Sequence, residues 1–321
     1  MSDVTGSAGP VLPGLPGATA EAGTGPVVET LVDGLLADPV PLPQVELRAD
    51  GFGPDGDTVG IERPHVADAL ARHRDHRASW YGDLLGPLRV PTASVADVVA
   101  GLIARDHGMA VTLVPPPGSP DPLADLHAAR ALLIDDDRVE ITGVELPLPR
   151  AAEPALAARA ALAALNVSVP AWFVVPSDAG WLPALDVLAE DGAESVALHV
   201  GATSRDARGW EGAAAVLRRA VDLDVAVAVT TGALPVITDQ TGCGLLNLLG
   251  AVRAALNGAD AAEVAAVLAS TAPEPLAAAA RRMSDADAAV VRAFLPVVTC
   301  PSIRSVVEDL ESLGLIAPDA A

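Results

Sequence analysis

The sequence predicts an α/β fold, a (β/α)8 TIM-barrel-like domain that is irregular at its N-terminal strand. Three observations predict it. From about residue 88 onward, short Val-rich segments apolar on both faces alternate with helical patterns, as a sheet covered on both sides demands. The βα units follow one another without a run of strands, which implies parallel pairing and right-handed crossovers. Two late segments, 195–201 (SVALHVG) and 225–232 (VAVAVTTG), each stop at a Gly, and 241–249 (TGCGLLNLL) then opens an apolar helix. Such units gather polar side chains and free backbone N–H groups at the end of the sheet where α/β folds bind ligands. A doubly wound open parallel sheet is the alternative.

Residues 1–25 are mostly Gly, Pro, Ala, Ser and Thr and read as a disordered tail. Residues 26–321 read as one domain, because no interior linker and no repeat of fixed period divides them. Helical spacing marks 27–36. Segment 40–47 (VPLPQVEL) reads as a first strand, confined to an edge by Pro41 and Pro43. A Gly/Asp-rich turn follows at 50–57, then a short helix over 64–74 with Pro in its first turn. The remaining strands are expected at 88–91, 110–114, 139–146, 171–175, 196–200, 225–230 and 296–299, most of them short and Val-rich. Helices are expected at 94–106, 122–133, 153–165, 181–190, 210–221, 244–257, 261–269, 276–294 and 302–313. Ser94 and Ser302 stand where N-caps belong.

Hydrophobic residues make up 51% of the 321-residue chain and aromatics only 2%, so the core is built from Ala, Val and Leu. The formal charge is −22. Such a chain is repelled by phosphate backbones and by anionic lipid, which argues against nucleic acid and membrane surfaces as partners. All 20 basic residues are Arg. Without Lys there is no Schiff-base, P-loop or general-base lysine chemistry. The Arg-only, Ala- and Gly-rich composition fits a GC-rich, actinobacteria-like genome. Cys243 and Cys300 are far apart and form no C-x-x-C motif, and no signal-peptide pattern opens the chain. A reducing, cytoplasmic setting is the expectation.

At the glycine-marked strands the chain resembles an uncharacterised family of predicted barrel proteins of bacteria and plants. That family carries motifs like K-F-R-T-G-G, T-A-G-L-H-H-P, H-G-F-x-N and a late G-S-C-S before E-P-x-x-D-L-x-x-L-G-L. The matching stretches are 197–202 (ALHVGA), 230–236 (TTGALPV), 243–247 (CGLLN), 298–301 (VTCP) and 306–315 (VVEDLESLGL). Gly201, Thr230, Gly232, Gly244, Asn247 and Cys300 stand where the family pattern has them. The family's Lys and Arg are Ala197 and His199 here, its paired histidines are Leu234 and Pro235, and its His before the helix is Cys243. The likeness implies a barrel whose backbone-shaping residues are kept while most charged groups are exchanged.

Two side chains are the candidate catalytic groups. His199, next to last on its strand, shares a face with Gly201 and suits a base or anion ligand. Glu145 sits in a mostly apolar stretch, where a buried carboxylate acts as a general base of raised pKa or pairs with an Arg. Thr230, Thr231, Gly232 and Gly244 precede a helix N-terminus that favours an anion, and Thr241 is the alternative reading there as a plain helix cap. Asn247, one turn into that helix, is placed to bond a ligand or the neighbouring loop. Arg205 in the loop after the His199 strand suits a carboxylate or phosphate clamp. Cys300 ends the last strand on the same rim, with His199 as its only available base. The run His73-Arg74-Asp75-His76 lacks the Leu and Asn of a kinase loop and the third ligand of a zinc site. No metal and no cofactor is expected. Two functions follow. One is a divergent enzyme acting on a small anionic metabolite at the C-terminal rim. The other is a non-catalytic barrel, a pseudoenzyme that binds or scaffolds a catalytic paralogue or a second copy of itself.

Overall fold

The computed structural model describes residues 27–40, 66–116, 118–148, 153–165, 169–176, 179–193, 195–200 and 207–318. Its strands are β1 (Leu36–Ala37), β2 (Leu88–Pro91), β3 (Met109–Val114), β4 (Val139–Pro147), β5 (Ala171–Pro176), β6 (Ser195–Val200), β7 (Ala226–Thr231) and β8 (Val298–Thr299). Its helices are α1 (Val27–Val32), α2 (Val66–Arg77), α3 (Val95–Gly101), α4 (Pro122–Leu133), α5 (Pro154–Ala164), α6 (Leu182–Glu190) and α7 (Ala207–Asp222), followed by α8 (Leu245–Leu256), α9 (Ala261–Ala269), α10 (Pro273–Arg281), α11 (Asp285–Phe294) and α12 (Ile303–Ser312).

All eight strands are parallel, in the order β1-β8-β7-β6-β5-β4-β3-β2. The two ends of that order meet. Bridges pair Leu36 with Leu85 and Pro39 with Arg89. The Arg89 N–H donates to the Asp38 carbonyl, and the Val40 N–H to the Arg89 carbonyl, both at 2.9 Å. The sheet is therefore a nearly closed (β/α)8 barrel, and the open doubly wound alternative falls.

The outer face of the sheet carries the apolar layer that the helices cover. Leu88, Val90, Phe173, Val175, Val196 and Leu198 are all at most 1% exposed. Burying each such side chain contributes about 1.5–3 kcal/mol. Because both faces of these strands are covered, they read as continuous apolar runs. No helix among the described residues is long and apolar enough to cross a membrane.

Several boundaries differ from the sequence reading for local reasons. The first helix stops at Val32, because Gly34 takes a φ of +61° that ends the helix cheaply only for glycine. The chain then enters β1 at Leu36, earlier than the strand expected at 40–47. Residues 41–47, the turn at 50–57 and the tail at 1–25 lie outside the described residues. The helix expected over 94–106 is only α3, flanked by 3₁₀ turns at Thr92–Ser94 and Ala104–Asp106. Ser94 and Ser302 occupy N-cap positions, yet neither side chain makes the cap bond.

The helix expected over 276–294 is two helices, α10 and α11. Ser284 accepts a bond from the Asp287 N–H at 3.2 Å and restarts the chain as α11. Ser284→Ala is expected to cost about 1 kcal/mol in urea unfolding, with no change in the slope of the transition.

Candidate functional site

Strand register decides which side chains share the lumen. Glu145 of β4 aligns with Trp172 of β5, whose face includes Val174 and Pro176; Pro176 aligns with His199 of β6, and His199 with Thr230 of β7. Side chains on one face of a strand recur every second residue. Glu145, Ala197, His199 and Thr230 therefore share one face. Arg89 of β2 reaches the same face, since its guanidinium grips Glu145 across the intervening β3. Its Nε donates to Oε1 and its Nη2 to Oε2, both at 2.6 Å. Side chains converge across a strand on the concave side of a sheet, so this face is the lumen.

The position of His199 agrees with the assignment. β2 and β6 stand opposite each other in the eight-stranded ring, yet Arg89 and Glu145 both act electrostatically on His199. Only the lumen offers that path. Stepping two residues along every second strand puts Arg89, Glu145, Ala197 and Thr299 in one layer, as barrel tilt requires. His199 lies one step higher, above the small Ala197, at the C-terminal mouth.

The electrostatics of the mouth follow from this stacking. The Glu145 side chain is 4% exposed and that of Arg89 is 20% exposed. A fork-to-fork pair satisfies both carboxylate oxygens and leaves Nη1 on the far edge of the guanidinium. His199 is exposed at the rim. Water stripped from its inner side, and then the Arg89 cation, push its pKa below the ordinary imidazole value, while Glu145 pulls it up. The imidazole is therefore neutral at pH 7, able to accept or donate a hydrogen bond. Thr230 is half-buried beside it.

The other sequence-expected residues divide. Glu145 is not a free general base, because both its oxygens are spent on Arg89. Asn247 is fully buried and binds the neighbouring loop. Its Oδ1 accepts from the Thr238 N–H at 2.8 Å, and its Nδ2 donates to the carbonyls of Val267 and Ser270 at 2.7 and 2.8 Å. Both amide donors are consumed, so none remains for a ligand. The α8 N-terminus is not an anion site either. The N–H groups of Leu245 and Leu246 donate to the carbonyls of Pro235 and Val236 at 2.8 and 3.0 Å. Gly244 is the N-cap, and a Cβ there would collide with Asn247 Oδ1 and the Thr238 N–H. Thr241 does not cap this helix; its N–H and hydroxyl both donate to Asp239 Oδ1 at 2.6 Å.

Thr231 points outward and donates to the Ala233 carbonyl. Gly232 has open space where a Cβ would stand, so no close approach requires a glycine there. Cys300 faces outward rather than into the lumen. It follows Thr299, which pairs with Ala37, so it stands beside Asp38 on the outer face. Burial pushes its thiol pKa up to about 12, and His199 is on the opposite side of the sheet. A Cys–His nucleophile is ruled out by that placement. Gly201 and Arg205 lie outside the described residues.

His73-Arg74-Asp75-His76 is part of α2. Arg74 forks onto Asp106 at 2.8 and 2.6 Å and holds that carboxyl below its usual range. Among the described residues no group of three or more His, Cys, Asp or Glu side chains is placed to hold a metal ion.

Sequence reasoning missed Arg89. The signal was present: a lone cation inside the apolar segment LRVP, the same pattern that singled out Glu145. It also missed Asp38, 1% exposed, which accepts from Arg72 Nη2 at 3.0 Å and lies 3.6 Å from His73 Nδ1. Comparison of the chain with protein-family models, with curated proteins and with solved structures finds no match in any of the three.

Proposed function

We propose that this barrel binds a small anionic molecule at its C-terminal mouth, with His199 and the outer edge of Arg89 as the ligand contacts. The observation that carries the reading is the convergence of Arg89, Glu145 and His199 from β2, β4 and β6 on one lumen. In that arrangement Glu145 fixes the guanidinium rather than taking a proton. Arg89 Nη1 supplies the positive charge, and neutral His199 supplies a hydrogen bond or accepts a proton. Among the described residues, an acid–base step at the mouth would run through His199.

A second reading, a non-catalytic barrel that serves a catalytic paralogue, is favoured by one observation: the ion pair consumes the carboxylate that a base would need. Likeness to the bacterial and plant barrel family is compatible with both readings. Its shared Gly244, Asn247 and Cys300 stand at buried positions in the framework of this chain.

The test is a thermal-shift screen of anionic metabolites against wild type and His199→Ala. A ligand at 100 times its Kd adds about 2.7 kcal/mol of stability. His199 is exposed, so the variant should melt with the wild type in the absence of ligand and lose most of the ligand-induced shift. A shift of equal size in both proteins places the ligand elsewhere, and no shift with any metabolite favours the second reading.

A further inference from the structure

Outside the lumen, behind β1 and β8, a cavity of about 500 Å³ opens between α2 and the start of α12. We propose that it binds the oxyanion of a small organic phosphate. Four independent features converge on it. Arg72 and Arg304 both line it. Arg72 is held in place from behind: its Nη2 donates to buried Asp38 at 3.0 Å and to the Pro39 carbonyl at 3.2 Å, while its buried Nε has no partner. α12, ten residues long, begins at the cavity with Ser302 as N-cap, and that side chain makes no cap bond. The first-turn N–H groups and the positive end of the helix dipole thus remain for an anion.

The fourth feature is His76, 4% exposed and yet part of the cavity wall. Its Nδ1 lies 3.0 Å from the buried Tyr81 hydroxyl. With Tyr81 donating to Nδ1, the proton of the neutral ring resides on Nε2, which has no hydrogen-bond partner among the described residues. In that tautomer Nε2 is a donor, the complement of an oxyanion. Burial, together with Arg72, His73 and Arg304, lowers the His76 pKa against the pull of Asp38, so the ring stays neutral before an anion arrives.

Two carboxylates on the same helix face, Asp68 and Asp75, also line the cavity. They oppose any anion, which gives the proposal a signed consequence: removing one must tighten binding. The volume exceeds what a bare phosphate fills, which leaves room for the organic body of an ester.

The experiment is calorimetric titration of the full chain with inorganic phosphate and, separately, with glycerol 3-phosphate, at ionic strength held constant with chloride. Saturable one-to-one binding is expected. Loss of a charge-assisted contact weakens binding about tenfold, so Arg304→Ala, an exposed position, should raise Kd by about that factor. Asp75→Asn should lower Kd several-fold. His76→Gln, which keeps a donor near Nε2, should bind better than His76→Leu. Should His76→Leu fail to fold, the Arg304 and Asp75 variants decide alone. Tighter binding of the ester assigns the physiological ligand to phosphoesters, and equal binding to the free ion. An unsaturable heat with both probes, or a Kd unchanged in Arg304→Ala, overturns the proposal. The Arg304→Ala and Asp75→Asn effects should persist in a His199→Ala background, which separates the site from the barrel mouth.

Discussion

Glu145→Ala is expected to destabilise the protein by about 3 kcal/mol, the lower end of the range for breaking a buried ion pair. The carboxylate is 4% exposed, while Arg89 keeps 20% of its side chain in contact with solvent, and that access softens the loss. What costs stability is the guanidinium left in the lumen without its fork-shaped acceptor. Arg89→Met combined with Glu145→Leu removes both charges and should recover most of the loss, because apolar replacement of a buried pair is often neutral. Urea unfolding of the wild type, the single variant and the double variant measures this directly. A single-variant loss under 1 kcal/mol would mean the pair behaves as a surface salt bridge, and the lumen assignment would fail with it.

Asn247→Ala should be comparably damaging, at about 3 kcal/mol or more. The side chain satisfies one N–H and two carbonyls of the main chain in a fully buried setting. Each buried backbone group left without a partner costs about 1–3 kcal/mol. The same lock is continued by Thr238, whose hydroxyl donates to the Leu268 carbonyl at 2.8 Å and accepts the Gly244 N–H at 2.9 Å. Asn247→Asp is the sharper control. It keeps the shape but turns an oxygen toward the Val267 and Ser270 carbonyls, so it should be no more stable than the alanine variant. If Asn247→Ala unfolds within 1 kcal/mol of wild type, the residue is free for a ligand and its structural assignment is wrong.

The barrel was legible because its strands are covered on both faces. Segments such as SVALHV and AVAVTT carry the continuous apolar pattern that parallel pairing requires. Closure was not legible. It depends on β1, two residues long, and on isolated bridges from Leu36 to Leu85 and from Pro39 to Arg89, which have no periodicity to read. The mouth was half legible. Glu145 and His199 stood out as polar groups on apolar strands, but their partner Arg89 lies in a strand of four residues, too short for its alternation to announce a face. The anion site inferred at the α8 N-terminus misled because glycine and threonine before an apolar helix look alike whether or not its N–H groups are free. Here the carbonyls of Pro235 and Val236 fold back onto them, a contact ten residues long in sequence. The cavity behind β1 and β8 was invisible for a different reason: Arg72 and Arg304 come from opposite ends of the chain and meet only when the barrel closes.

The central claim is that a neutral imidazole above an ion pair receives an anionic ligand in the barrel mouth. Its most direct test is ¹⁵N-imidazole NMR of His199, identified by its loss in His199→Ala, during titration with the ligand from the thermal-shift screen. The His199 resonances should report a neutral ring at pH 7 in the free protein and shift in a saturable way with ligand. A protonated ring at pH 7, or a ligand that stabilises the protein while leaving the His199 signals unmoved, contradicts the claim.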